Sequence, residues 1–558
     1  MHYRICRGSL LRMSFALLAV ALASVAGLAH AQHARPAAAP AARLMPGVGE
    51  VNHPVRTSNP EAQRFFNQGL ALDYGFNHDE AEKAFWRAAE LDPTMAMAWW
   101  GVALVVGPNY NLPIDQEREK KAFEAIQKAR RLAANGPEPE RDYIEALAKR
   151  YTDNPNADFH QLDVDYNNAM RELSKKYPDD LDAATLFAES GMTLRPWKLW
   201  NADHTPAPGT GEIVETLESV LRRNPQHIGA NHFYIHAVEA SAHPEAAMPS
   251  ALRLAALAPS SGHLVHMPGH IFIRTGDHES SLATNINAAR ADENYIKTTQ
   301  AHGVYPMMYY THNLHFIVME NAMMGRYAES LAAARKVQAH VGPHIKDMDL
   351  LDFFNTMPSL VMVRFRKWDD ILKSPAPAAG SGPYTAGTWH YARGLAFAAQ
   401  GKEKETITEL DALQKLAPEM AKIPTNTVGP GNAQKIPVIA AHVIQARLAS
   451  SLGKTDEAVA HLREAVSIQD TLDYNEPPDW FYPVRETLGG TLLRAGRAAE
   501  AEQVFRADLA MNPRNARSLF GLMESLKAQK RAHDAAFVEQ EFKSAWKGAD
   551  TQLRIEDL

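Results

Sequence analysis

One spacing pattern constrains this chain more than any other feature in it. Between Asn59 and Pro93 the apolar residues Phe65, Gly69, Leu72, Ala81, Phe85 and Ala88 alternate large and small, and a proline closes the series. Near the other end Gly489, Gly496, Ala501, Phe505 and Pro513 repeat the same intervals, departing only at Asp508, where a small residue is expected. These intervals put one apolar stripe on each of two antiparallel helices and a proline where the second must stop. A helix pair of this size cannot bury its own apolar face, so it has to share a core with its neighbours. Two such units at opposite ends therefore predict a stacked array over the whole interval.

The unit resembles the tetratricopeptide repeat, a helix–turn–helix element of about 34 residues. Weaker copies are expected between the two clear ones. Ala125 to Tyr151 reads as a helix pair and Ala183 to Gly191 as an inner helix, with further pairs turning at Gly401 and Gly453. Asn201 to Gly211, Ser374 to Tyr384 and Ile423 to Pro437 read as inserted Pro/Gly-rich loops. No segment carries a strand period. The expected fold class is all-α, a tetratricopeptide-like α-solenoid with aromatic and Pro-rich loop insertions. The resemblance implies that ligands bind on its concave face, which the first helix of each unit lines.

The first residues stand apart. Arg4, Arg7 and Arg12 precede an apolar run from Phe15 to Leu28 that ends in Ala29-His30-Ala31, the pattern of a secretory signal cleaved after Ala31. The run is too short for a comfortable transmembrane helix, so the mature chain is expected in the periplasm or outside the cell, with no stable membrane insertion. Cleavage removes three cations and no acid and takes the formal charge of −7 three units further negative, which argues against nucleic acid as a partner. It also removes Cys6, the single cysteine, leaving neither thiol ligand nor disulfide. The expected divisions are a signal over 1–31, a flexible Ala/Pro-rich linker over 32–58, and an N-terminal array over 59–345 that holds most of the histidines. A C-terminal array follows over 346–558.

The register of the middle units can be set without using the histidines. Pro225 and Pro259 lie 34 residues apart, Gly276 follows Pro259 by 17, as Gly496 precedes Pro513 by 17, and Gly325 repeats the turn after 49 more. Counting back from turns at Ala242, Gly276 and Gly325 puts His232, His236 and Glu239 on the inner face of one first helix. His263, His266 and His270 fall on the next, and His312 and His315 on the third. Intervals of three, four and seven stack these side chains in one stripe per helix. Helices about 8–10 Å apart let neighbouring stripes converge. Pro268-Gly269 inside the second helix is expected to kink or restart it.

Seven histidines on one face favour a transition metal over a His-lined pocket for an organic anion or a purely structural polar core. Nitrogen-rich ligands with a carboxylate and no sulfur suit zinc, copper, iron or nickel and argue against calcium and magnesium. Seven exceed the needs of one tetrahedral ion, so either two ions bind or several imidazoles play supporting roles. Glu189 and Glu239 are the candidate general bases.

Aromatic, proline-punctuated loops at 109–111, 195–200, 305–310 and 474–483 either plug the array or shape a pocket over the histidines. In the second case Glu476, Trp480, Tyr482 and Arg485 form its rim. His263-Leu-Val-His-Met-Pro-Gly-His270 and Thr311-His-Asn-Leu-His-Phe316 resemble a His-rich group of exported bacterial tetratricopeptide-repeat proteins, a resemblance that implies the fold and supplies no activity. No Walker, Rossmann, G-x-S-x-G or H-E-x-x-H motif is present. The expectation is a metal-binding repeat protein that acts on a small molecule by activating water or dioxygen, or binds one. The alternative is a scaffold holding a peptide or partner protein in an open groove, with its histidines dispersed.

Overall fold

Phe85 shows how the units lock together. In the computed structural model, which describes residues 42–425 and 431–558, its fully buried ring lies between Gly69 of its own helix pair and Gly101 of the next, sixteen positions away on either side. A Cβ on those glycines would come within 2.7 Å and 2.3 Å of the ring. Phe505 is held in the same way by Gly489 and Gly521, whose Cβ positions lie 2.5 Å and 2.1 Å from its ring. The repeat read from the sequence is thus a steric device: a large ring fills the space that two glycines vacate, and it joins one pair to the next.

Among the described residues all regular structure is helical, with only the isolated bridges Asn109 to Leu112 and Trp200 to Pro206. The chain is an all-α, tetratricopeptide-like solenoid. Pairs such as Pro60–Asp73 with His78–Leu91 and Ile436–Ser451 with Thr455–Gln469 follow one another along it. The first pair opens at Asn59, whose side chain accepts from the Glu61 and Ala62 amides, with Pro60 next in line. Gly276 and Gly325 end their helices at φ +76°, a left-handed turn that suits glycine. No described helix is long and apolar enough to cross a membrane.

Buried apolar side chains form one set from Val48 to Ile271 and another from Ala289 to Leu558. The His-bearing helices run across their junction. The proposed signal and the start of the linker lie outside the described residues. The rest of the linker corrects the expectation of flexibility, because residues 42–58 lie along the first units. Gln68 donates to the Arg43 carbonyl (2.8 Å) and accepts from the Met45 amide (2.6 Å), and Gln63 does the same for His53 and Val55 (2.9 and 3.0 Å). The Ser260 amide donates to the Gly47 carbonyl at 2.8 Å. The Ala/Pro bias concealed Met45, Val48, Val51 and Val55, which pack on the core.

Candidate metal centre

Three consecutive first helices carry the imidazoles inward. Ile228–Val238 presents His232 and His236 and is buried on every side. The second helix breaks where Pro268 cannot donate a backbone hydrogen bond, into Gly262–His266 and Pro268–Thr275. The break leaves His263, His266 and His270 facing the same interior. Gly269 lets Asn285 approach, since a Cβ there would meet its Nδ2 at 2.7 Å. The third helix, Thr311–Met323, is entered through a π-helical turn at Tyr305–Tyr310, which sets the direction of His312.

Hydrogen-bond partners fix the tautomers. His232 Nδ1 donates to the Tyr74 carbonyl at 2.7 Å. His266 Nδ1 donates to Asn285 Oδ1 at 2.7 Å, and that amide's own nitrogen is committed to the Ser281 carbonyl at 2.8 Å. His236 Nδ1 donates to Glu239 Oε1 at 3.0 Å, and His270 Nδ1 to Glu239 Oε2. Four imidazoles therefore spend Nδ1 on an outer acceptor and turn Nε2 inward, the arrangement that orients histidines as metal ligands. Inside, His266 Nε2 stands 2.7 Å from His270 Nε2, and His232 Nε2 stands 3.0 Å from His263 Nε2. Two facing lone pairs repel unless a proton or a cation lies between them. Among the described residues, His236 Nε2 and His263 Nδ1 are buried without a hydrogen-bond partner.

Two sets of three nitrogens result, His232 with His236 and His263, and His266 with His270 and His312. Within each set the ligand atoms lie within 4.8 Å of one another. Ligands about 2.0–2.1 Å from a tetrahedral ion stand about 3.4 Å apart, so each set is spaced on the scale that an ion's ligands require. Glu239 joins them, accepting from one imidazole of each.

Burial, reinforced by neighbouring imidazoles, pushes His232, His263, His266 and His312 well below the ordinary histidine range. Burial alone takes His315 to about 3. These imidazoles are neutral and keep their lone pairs. Burial also lowers His270, but the Glu239 carboxylate outweighs it and holds that ring above its usual value. Burial raises Glu239, and His270 and His236 together bring it below the ordinary carboxylate range. Glu476, 3.3 Å from His270 Nδ1, is raised by burial.

Other expected site residues fall elsewhere. His315 lines the cavity, but its ring packs edge-on against Phe354 at 5.5 Å and joins neither set. Glu239 has both oxygens committed to imidazoles, so it positions them and is not a free base. Glu189 bonds to Thr193 at 2.8 Å in a separate small cavity with Asp73 and Arg150. The inner helix read over Ala183 to Gly191 gave its face but not its depth. Of the expected rim only Glu476 reaches the histidines. Tyr482 bonds to Tyr391 (2.7 Å), Trp480 packs on Tyr391 (5.6 Å), and Arg485 pairs with Asp470 (2.6 Å). These three turn away because the loop re-enters the C-terminal core after Pro477.

A cavity opens from the histidines, and each of the four aromatic loops contributes to its wall. Phe76, whose ring lies 4.5 Å from His232 and 5.4 Å from His263, has no sequence signal beyond its place in a turn. Neither do the outer acceptors Tyr74 and Asn285, since an acceptor for Nδ1 leaves no pattern of its own.

Fold and site together define a helical-repeat protein enclosing a six-imidazole centre. Residues 439–471 match the tetratricopeptide repeat family. No curated protein matches the chain. Among solved structures, it is similar to the human IFIT1 dimer with m7Gppp-AAAA, at 13% identity over 89% of this chain and 92% of that one, TM-score 0.33. It is also similar to yeast Tom70, at 13% identity over 87% of this chain and 97% of that one, TM-score 0.27.

Proposed function

We propose that this chain is a metal protein in which two transition-metal ions, of zinc, copper or iron, bind on two three-histidine sets joined through Glu239, and that it acts on a small molecule held in the adjoining cavity. One observation carries the reading. His266 and His270 face each other Nε2 to Nε2 at 2.7 Å while each Nδ1 is committed to an outer acceptor. Bound ions would supply a Lewis-acid or redox centre. The chain's own part is to orient the imidazoles through Tyr74, Asn285 and Glu239, to keep bulk water away, and to hold Glu476 beside His270. The scaffold alternative calls for exposed, dispersed histidines, and five of these six are 3% exposed or less. Export is part of the proposal and rests on the Arg-flanked apolar run before Ala31.

Elemental analysis of the purified mature protein tests this, beside His266→Ala/His270→Ala and a His315→Ala control. We expect two ions per chain in the wild type and the control, and a loss of at least half in the double variant. Metal below one ion per chain in every sample, or equal in the wild type and the double variant, refutes it.

A further inference from the structure

Part of the cavity's polar wall is paired with itself, and this restricts what the cavity can hold. Asn111 accepts from Trp197 Nε1 at 3.1 Å and donates to the Tyr309 hydroxyl at 3.2 Å. Asn475 donates to Asp479 at 2.6 Å and accepts from the Glu476 amide at 3.1 Å. Tyr305 donates to Asp292 at 2.9 Å, and Thr425 donates to Asp479 at 2.9 Å while accepting from the Asn432 amide at 2.9 Å. These bonds tie the loops at 109–111, 195–200 and 305–310 to one another and to the core and anchor the loop at 474–483 to Thr425 and Asn432.

Among the described residues, His236 Nε2 and His263 Nδ1 are buried without a hydrogen-bond partner at one end of the cavity, beside Glu476, whose Oε2 lies 3.3 Å from His270 Nδ1. Asn77, His78, Asp79, Asn109, His312 and His315 also line it, and the rest is largely ring and hydrocarbon, including Trp197, Phe353, Phe354, Leu350 and Met308. Phe353 and Phe354 meet edge to face at 5.5 Å, a geometry that accepts a further ring. Among the described residues no lysine or arginine lines the cavity.

From this ring-lined wall beside the unpartnered imidazole nitrogens we infer that the cavity takes a small aromatic molecule carrying one ligating oxygen, a phenol-type compound. Its oxygen points to the histidine centre and its ring lies against Trp197 and Phe354. The inference rests on the metal-centre reading for the oxygen and on the wall alone for the ring. A sugar, nucleotide or amino acid brings several polar groups, and those laid against Trp197, Phe353 and Phe354 would lose water without gaining a partner. A saturated alcohol meets the apolar wall but forgoes the ring contacts.

The test is a titration of the full mature chain, as purified and after chelation, with 2-naphthol, its saturated counterpart 2-decalol, and D-glucose. Calorimetry is the readout, and the metal content of each sample is measured beforehand. The expected result is saturable binding of one 2-naphthol per chain. Affinity should fall at least tenfold in Phe354→Ala and at least fivefold on chelation. It should stay unchanged in Phe537→Ala, a surface control with a 68% exposed ring. Decalol should bind at least fivefold more weakly than naphthol, and glucose not measurably. No saturable naphthol binding in protein that holds metal overturns this inference and leaves the metal centre standing. So does decalol or glucose binding as well as naphthol. If no sample holds metal, the centre fails. Naphthol binding that still depends on Phe354 then supports the ring contact alone, and its absence overturns that too.

Discussion

Replacing Glu239 by Gln removes one atom's worth of chemistry from the middle of the centre. The carboxylate accepts from His236 Nδ1 through one oxygen and from His270 Nδ1 through the other. Glutamine keeps one acceptor and puts an N–H donor in the other place, so one of the two imidazoles meets a donor with its own N–H. To pair at all, that ring must move its hydrogen to Nε2, and it then leaves the ligand set. Each three-nitrogen set depends on Glu239 for one member, so one set drops from three nitrogens to two. Loss of such an outer partner typically weakens metal binding about 10–100-fold, or about 1.4–2.7 kcal/mol. Competition against a chromogenic chelator measures this, with thermal unfolding by circular dichroism confirming that Glu239→Gln is folded. One ion should weaken by at least tenfold while the other changes less. Affinities within twofold of wild type for both ions would refute the bridging role of Glu239.

Two further outcomes are expected. In Gly262→Ala the new Cβ would sit 1.8 Å from Asp292 Oδ1, at the start of the helix that carries His263 and His266. Overpacking of this kind costs about 1–3 kcal/mol, so a lower Tm and reduced metal content are expected together, and a normal Tm would contradict the packing described here. Burial pushes the Glu119 carboxyl up to about 7, against 4.5 for a free glutamate. Because the folded value is the raised one, this group's contribution to stability is present below pH 4.5 and is lost as pH rises through 7. Glu119→Gln should therefore gain stability relative to wild type between pH 5 and 8, by about 1 kcal/mol after allowance for screening. Urea midpoints at the two pH values check this, and a gain in the opposite direction sinks it.

How far the sequence could be read depended on what each feature leaves in it. The Gly69, Phe85, Gly101 arrangement is legible because a steric requirement dictates residue size at fixed intervals. The shared face of the histidines is legible for the same kind of reason, since helical periodicity follows from position alone. Which imidazoles would meet was not legible. The break at Pro268 and the π-helical turn before His312 set the distances between stripes, and neither has a length that can be counted. His315 lies on the right stripe yet faces Phe354, because a stripe gives direction and not depth. Residues 42–58 misled through composition, whose average hides the few apolar side chains that dock.

That docked segment has a practical corollary. The Gly47 carbonyl is bound by Ser260, and a Cβ on Gly49 would come within 2.6 Å of Ile228, so the stretch braces the leading ends of two imidazole-bearing helices from outside the repeats. An affinity handle or protease site engineered between residues 42 and 58 would pry at the centre from a distance.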